Sequence, residues 1–215
     1  MNARIDHVVT SGTFSLDGGT WEVDNNVWIV GDDSSVVIID PAHDVEKISK
    51  AVAGRTVEKI LLTHAHDDHI SSAREASQRF GAEVYLNPKD RELWQMVYPE
   101  WDFDRELHDG DTISIAGTEL TVIETPGHSP GSVCFYAPDL SYENSTGVVF
   151  SGDTLFNGGP GATGRSFSNF DVIIESIRTR LLTLPESTAV LTGHGDHTGI
   201  GVEAPDVEEW IKRGH

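Results

Sequence analysis

Five short, largely apolar runs constrain this chain more than any other feature, because each ends on a residue able to bind a metal or to hold one that does. Residues 36–39 run into Asp40, 60–63 into His64 and His66, 121–125 into His128, 148–150 into Asp153, and 189–192 into His194. Continuous apolar runs of this length read as strands buried on both faces, so their ends are what remain for chemistry. Sites in α/β sheets gather outside the carboxyl ends of strands. Convergence of the five ends on one site is the simplest arrangement.

The remaining pattern fits an α/β layered domain. Strands are predicted at 20–24, 27–31, 36–40, 57–63, 83–86, 113–115, 119–124, 132–136, 148–151 and 188–191, with a turn at Asp17, Gly18 and Gly19. Helices are predicted at 44–53, 70–80, 88–97, 169–184 and 205–213. Gly54 and Gly81 stop the first two and Pro88 opens the third. Phe170, Ile173, Ile174, Ile177 and Leu181 form the apolar stripe of the fourth. With no repeat, low-complexity tract or linker-like stretch, one domain over residues 1–215 is expected.

Charge narrows the partners. Thirty-five acidic against fifteen basic residues give a formal charge of −20, which repels phosphate backbones and anionic membranes. Neither nucleic acid nor a membrane is an expected partner, and no run approaches the roughly 20 apolar residues that span a bilayer. The N-terminal residues carry no signal-peptide pattern. The single cysteine, Cys134, rules out an intramolecular disulfide, and a cytoplasmic location is expected. Oligomeric state is left open.

The densest chemistry lies in His64, Ala65, His66, Asp67, Asp68 and His69. Residues two apart share a face of extended chain, so His64 and His66 can grip one ion if the strand continues. Asp68 and His69 fall where the chain turns into the next helix and should point toward a second ion; helix capping is the alternative for Asp68. For Asp67, capping or solvent exposure is expected. Imidazole and carboxylate ligands suit zinc, iron or manganese without choosing among them. Structural zinc sites are usually closed by cysteines, so an open catalytic site is expected, which would lower a bound water's pKa to about 7.

With these residues in view, the chain resembles the metallo-β-lactamase superfamily across nearly its whole length. Residues 64–69 look like its HxHxDH motif, and Pro126-Gly127-His128, Ser151-Gly152-Asp153 and Gly193-His194 follow in matching order. Within the superfamily the sequence is most similar to glyoxalase II-like hydrolases, through residues 127–132, 152–156 and 193–198. The resemblance implies a four-layer αββα sandwich with two divalent metal ions at one sheet edge, zinc first, iron or manganese as alternatives. It implies that His64, His66 and His128 bind the first ion and Asp68, His69 and His194 the second, with Asp153 bridging. It further implies a metal-bridging hydroxide, oriented by Asp68, that cleaves a small-molecule thioester or related ester.

Two departures shape the substrate expectation. Glyoxalase II enzymes carry a further C-terminal helical region with basic residues that hold glutathione, for which this chain has no room before His215; another thiol carrier, or a different ester, is expected. Residues 161–165 resemble the family's glycine-rich turn ending in arginine, without the acid that usually follows. A rival activity is a mononuclear iron persulfide dioxygenase, in which only the first-site ligands hold metal; Gly193-His194-Gly195 resembles the hydrolases more. Flavodiiron-type members carry an acidic residue where this chain has His66. β-Lactamase activity is not expected without an export signal, nor RNA processing at this charge.

Other residues are weighed singly. Asp40 is equally a hydrogen-bond partner of a ligand histidine and a turn residue before Pro41. Arg165 is a substrate contact or a solvated loop arginine. His197 reaches the substrate or sits in a loop. His7, His43, His108 and His215 read as surface or loop residues, and Cys134 as core. Trp94 and Tyr98, four apart, read as one packed helix face.

Overall fold

The computed structural model describes residues 3–214. It opens on a long antiparallel hairpin, β1 (Arg4–Leu16) and β2 (Gly19–Gly31), in register from Arg4 opposite Gly31 to Leu16 opposite Gly19. Asp17 and Gly18 turn it with φ of 53° and 77°, the left-handed pair that a two-residue hairpin needs. The turn was expected; the strand before it was not. Residues 4–16 alternate between buried or half-buried and exposed positions, with Thr, Ser and Gly diluting the apolar pattern.

β2 leads to β3 (Ser35–Ile39), β4 (Thr56–Leu61), β5 (Glu83–Leu86) and the short β6 (Arg105–Glu106), which form a sheet in sequence order, antiparallel up to β3 and parallel after it. β7 (Thr112–Ile115), β8 (Thr118–Glu124), β9 (Val133–Tyr142) and β10 (Ser145–Gly152) begin a second sheet. A two-stranded ribbon, β11 (Leu155–Phe156) with β12 (Gly159–Pro160), intervenes before β13 (Ala189–Thr192) and β14 (Thr198–Gly199) complete it in the order β14-β13-β10-β9-β8-β7.

Three cores make four layers. In β3, Val37 and Ile39 face one way and Val36 and Ile38 the other. The first pair joins Trp28, Val30 and Leu61 against Val122, Phe135, Phe150 and Leu191, which fills the space between the sheets. The second pair lies in an outer core with Ile48, Ala73, Ala76 and Trp94, from the helices α1 (Val45–Val52), α3 (Ala73–Phe80) and α4 (Arg91–Val97). Beyond the second sheet, Cys134, Val149 and Val190 pack on Ile173, Ile177 and Trp210, under α5 (Phe170–Ser176) and α7 (Val207–Arg213). This is the αββα sandwich.

The expected helices break in places. Residues 67–80 form a short α2 (Asp67–Ile70) and then α3, because the Tyr98 hydroxyl donates to the Ile70 and Ser71 carbonyls at 2.7 and 3.0 Å and offers them a partner outside the ladder. Pro88–Asp90 is a 3₁₀ turn before α4, and Ile177–Leu181 a π turn after α5. The last helix, expected over 205–213, is a 3₁₀ turn at Ala204–Asp206 followed by α7, and a short α6 (Ile200–Glu203) that was not expected precedes it. Trp94 and Tyr98 pack with ring centroids 4.8 Å apart. No helix among the described residues is long and apolar enough to cross a membrane.

Candidate metal centre

The five strand ends do converge. Asp40 follows β3, His64 and His66 follow β4, His128 follows β8, Asp153 follows β10 and His194 follows β13, while α2 carries Asp68 and His69 back over them. His64 Nε2 and His128 Nε2 lie 3.1 and 2.9 Å from His66 Nδ1. A second group forms beside the first. His194 Nε2 is 3.2 Å from both His69 Nε2 and Asp68 Oδ2, which are 3.5 Å from each other. Asp153 lies between the groups, with Oδ2 3.5 Å from His128 Nε2 and 3.4 Å from His194 Nε2, and Oδ1 3.3 Å from His69 Nε2.

Hydrogen bonds on the far side of each ring show what these gaps require. His128 Nδ1 donates to the Ala162 carbonyl at 2.8 Å and His194 Nδ1 to the Asp24 carbonyl at 2.7 Å. His69 Nδ1 donates to Asp40 Oδ2 at 3.0 Å, and His64 Nδ1 to Thr63 Oγ1 at 3.0 Å, whose own proton goes to Asp40 at 2.6 Å. These tautomers, assigned from the network, leave four Nε2 lone pairs facing inward. His66 is reversed, with Nδ1 inward and a buried Nε2 that has no partner; Asp153 Oδ1 is likewise without a hydrogen bond. Unprotonated ring nitrogens about 3 Å apart repel. Ligands at about 2.1 Å from a tetrahedral ion would sit roughly 3.4 Å from one another, so the residues fit two cations.

Charge balance points the same way. Burial, reinforced by neighbouring histidines, holds His64 well below its ordinary pKa and His66 down to about 3. Burial also opposes ionisation of Asp68 and Asp153, yet His69 and His194 hold Asp68 at about 2 and Asp153 well below the carboxylate range. Against its own burial, His194 is pushed up to about 10 by Asp153 and Asp68. His69 is raised well above its ordinary value by the same carboxylates. Without an ion, Asp153 and Asp68 instead hold a proton on His194, in place of the Nε2 lone pair that an ion would take.

Asp40 proves to be more than a turn residue. Buried at φ 51°, it accepts from Thr63 N at 2.8 Å, from Thr63 Oγ1 and from His69 Nδ1, which fixes both histidines. Sequence reasoning missed Asn25, whose Nδ2 donates to Asp68 Oδ2 at 2.9 Å, and His43, whose Nε2 meets Asn25 Oδ1 at 2.9 Å. His43 was expected to be a loop residue without a partner. Neighbouring Asn26 donates to the carbonyls of Thr192 and Gly195 at 3.0 and 2.9 Å and holds the His194 loop. Two consecutive asparagines buried in one strand were the available signal. Asp67 neither caps nor faces solvent freely, since both of its oxygens accept from Ser15 N, at 3.0 and 3.1 Å. Asp68 does not cap α2.

A cavity of about 200 Å³ opens over the centre, walled by Phe14, Val23, Phe156, Ala162 and Arg165. The Arg165 guanidinium lies 3.9 Å from the Trp21 ring centroid and 5.1 Å from that of Phe14, at the cavity's edge. His197 does not join them. It packs on Tyr142 at 5.2 Å and pairs with Glu143 at 3.3 Å, beside the turn between β9 and β10, and it is not among the cavity walls. The cause is β14, which begins at Thr198 and draws the chain back along β13. Of the other histidines, His7 stacks on Trp28 and bonds Asn26, and His108 pairs with Glu106; His215 lies outside the described residues.

The chain belongs to the metallo-β-lactamase superfamily, whose sequence profile matches residues 20–194. It is 31% identical to hydroxyacylglutathione hydrolase GloC of Haemophilus influenzae over 190 residues, 80% of this chain and 85% of that one. Among solved structures it resembles the BLEG-1 B3 metallo-β-lactamase, with 31% identity, a TM-score of 0.75, and coverage of 91% and 97% of the two chains. It also resembles TTHA1623 in a di-iron-bound form, with 32% identity, a TM-score of 0.71, and coverage of 85% and 93%. The family and its relatives support a metal-dependent hydrolase, and the His and Asp clusters are groups that could hold its metal.

Proposed function

We propose that this chain is a dinuclear hydrolase that cleaves a thioester or related ester, in the manner of glyoxalase II. One observation carries the reading: Asp153 Oδ2 stands 3.4–3.5 Å from a ligand nitrogen of each group, so the two groups share a carboxylate as a dinuclear site requires. His64, His66 and His128 would hold one ion, Asp68, His69 and His194 the other, with Asp153 shared between them. Zinc is the first expectation for this all-imidazole and carboxylate set, with iron or manganese behind it. Bound there, the ions supply Lewis acidity and a water that ionises near neutral pH.

The chain's own groups do the rest. Asp68, fixed by Asn25, would orient the attacking water. Phe14, Val23 and Phe156 exclude bulk water from the cavity. Arg165, stacked on Trp21, presents its guanidinium to an anionic part of the substrate. Apart from the ligands and Arg165 the cavity wall is apolar and offers no acid to protonate a leaving group, which favours a thiolate, since it departs unprotonated.

The test is a panel at equal concentration: acyl thioesters, matched oxygen esters, a β-lactam, and a persulfide with oxygen uptake recorded. Thiol release that is lost in Asp153→Ala and exceeds turnover of the other substrates supports the proposal. Persulfide-dependent oxygen uptake by a protein holding one iron would replace it with the dioxygenase reading.

A further inference from the structure

β4, which delivers His64 and His66, lies between β3 and β5, and a carboxylate follows each of these neighbours. Asp40, after β3, serves Thr63 and His69, as described. Asp90 closes the 3₁₀ turn after β5, fully buried, and its carboxylate hydrogen-bonds to no ligand side chain. Its Oδ2 accepts from Ala65 N at 2.9 Å and from Ser129 Oγ at 2.7 Å, and its Oδ1 from Gly131 N at 2.5 Å. Ala65 stands between His64 and His66, and Ser129 follows His128.

The joint is closely built. Ser132 Oγ lies 2.8 Å from Ser129 Oγ and accepts from Ser129 N at 3.1 Å. A Cβ on Gly131 would fall 2.7 Å from Asp90 N and 2.8 Å from its Oδ1, so the loop approaches as only glycine permits. Asn87, at the head of the turn, caps it through Lys89 N and donates to Glu124 at the end of β8, the strand that leads to His128. No lysine or arginine pairs with Asp90 among the described residues. A buried carboxylate held only by neutral donors is costly, and a dication on the adjacent histidines would offset part of that cost.

We propose that Asp90 is a positioning residue specific to the first metal site: through the Ala65 amide and the Ser129 hydroxyl it sets His64, His66 and His128 at one ion, whereas Asp40 reaches both sites through Thr63 and His69 and Asn25 serves the second. This rests on the dinuclear reading above. A general staple of the fold would weaken both sites together or only lower the melting temperature. A positioning residue acts on one site.

The experiment is a Co(II) titration of metal-stripped wild type, Asp90→Asn and Ser129→Ala, read by the visible spectrum and by ions bound per chain, with circular dichroism checking the fold. In Asp90→Asn, first-site affinity is expected to fall about 10- to 100-fold, with the second site unchanged. Ser129→Ala, which keeps the carboxylate and removes one donor, should give a smaller loss at the same site, and it decides the matter alone if Asp90→Asn fails to fold. Equal losses at both sites, or wild-type affinities with only a lower melting temperature, would overturn the assignment. A wild-type protein that takes up no Co(II) would instead bring down the metal-centre reading, and the proposal with it.

Discussion

Adding one methyl group at Gly193 should remove the metal centre while leaving the fold. A Cβ there would lie 2.2 Å from Asp153 Oδ1, 2.8 Å from His69 Cε1 and 3.2 Å from the Gly152 carbonyl carbon. Contact distances are nearer 3.5 Å, so the carboxylate must retreat by about 1 Å, whereas metal–ligand bonds tolerate only about 0.2 Å. Backbone strain adds nothing, because Gly193 is not among the residues with positive φ. Overpacking alone costs about 1–3 kcal/mol, which for a chain of this size lowers the melting temperature by roughly 2–12 °C. Gly193→Ala should therefore fold, melt somewhat lower and hold less than one ion per chain. The assays are elemental analysis and a thermal melt of the same sample. Gly193→Ala with two ions per chain and wild-type turnover would refute the placement of Asp153 between the groups.

Other outcomes follow from the same contacts. Asp40→Ala strands the Thr63 amide, the Thr63 hydroxyl and His69 Nδ1, each worth about 1–3 kcal/mol when left unpartnered; chemical denaturation should show a loss of about 3 kcal/mol or more, and an unchanged midpoint would contradict the role. Metal-free His194, pushed up to about 10, is protonated at pH 7, so an ion must expel that proton. Calorimetry at pH 7 in buffers of different ionisation enthalpy should find at least one proton released per chain. Because the folded value is raised, the stability His194 contributes is complete below its unfolded value of about 6.5 and lost as pH rises through about 10. Metal-free wild type should melt lower at pH 10 than at pH 6, by more than His194→Gln does. Burial pushes the Cys134 thiol up to about 11, so native protein at pH 8 should resist alkylation that goes to completion in denaturant; rapid native labelling would mean that this core opens.

What the sequence made legible, and what it hid, follows from chain separation. The ligands were readable because His64, His128, Asp153 and His194 each stand within four residues of a strand end, and His66, Asp68 and His69 cluster with His64 within six residues. That strands such as β3 are buried on both faces was readable from the continuous apolar run Val36 to Ile39, whose side chains divide between two cores; the four-layer stack itself came from the family resemblance. Residues that orient the ligands were not. Asn25 acts on Asp68 from 43 positions away, and Asp90 on Ser129 from 39, and no local pattern marks a pair brought together only by the sheet order. His197 shows the converse error: three residues from a ligand in sequence, it is turned away by the β13–β14 pairing. The first strand escaped because Thr10 and Gly12 stand on its inward face and Val9 on its exposed face, which breaks the period-two signal.

The central claim, two metal groups sharing Asp153, is tested most directly by counting metal ions per chain in the purified protein and in Asp153→Ala. Close to two ions in the first and none firmly held in the second are predicted. One ion per chain in the wild type, or two retained by Asp153→Ala, would contradict it.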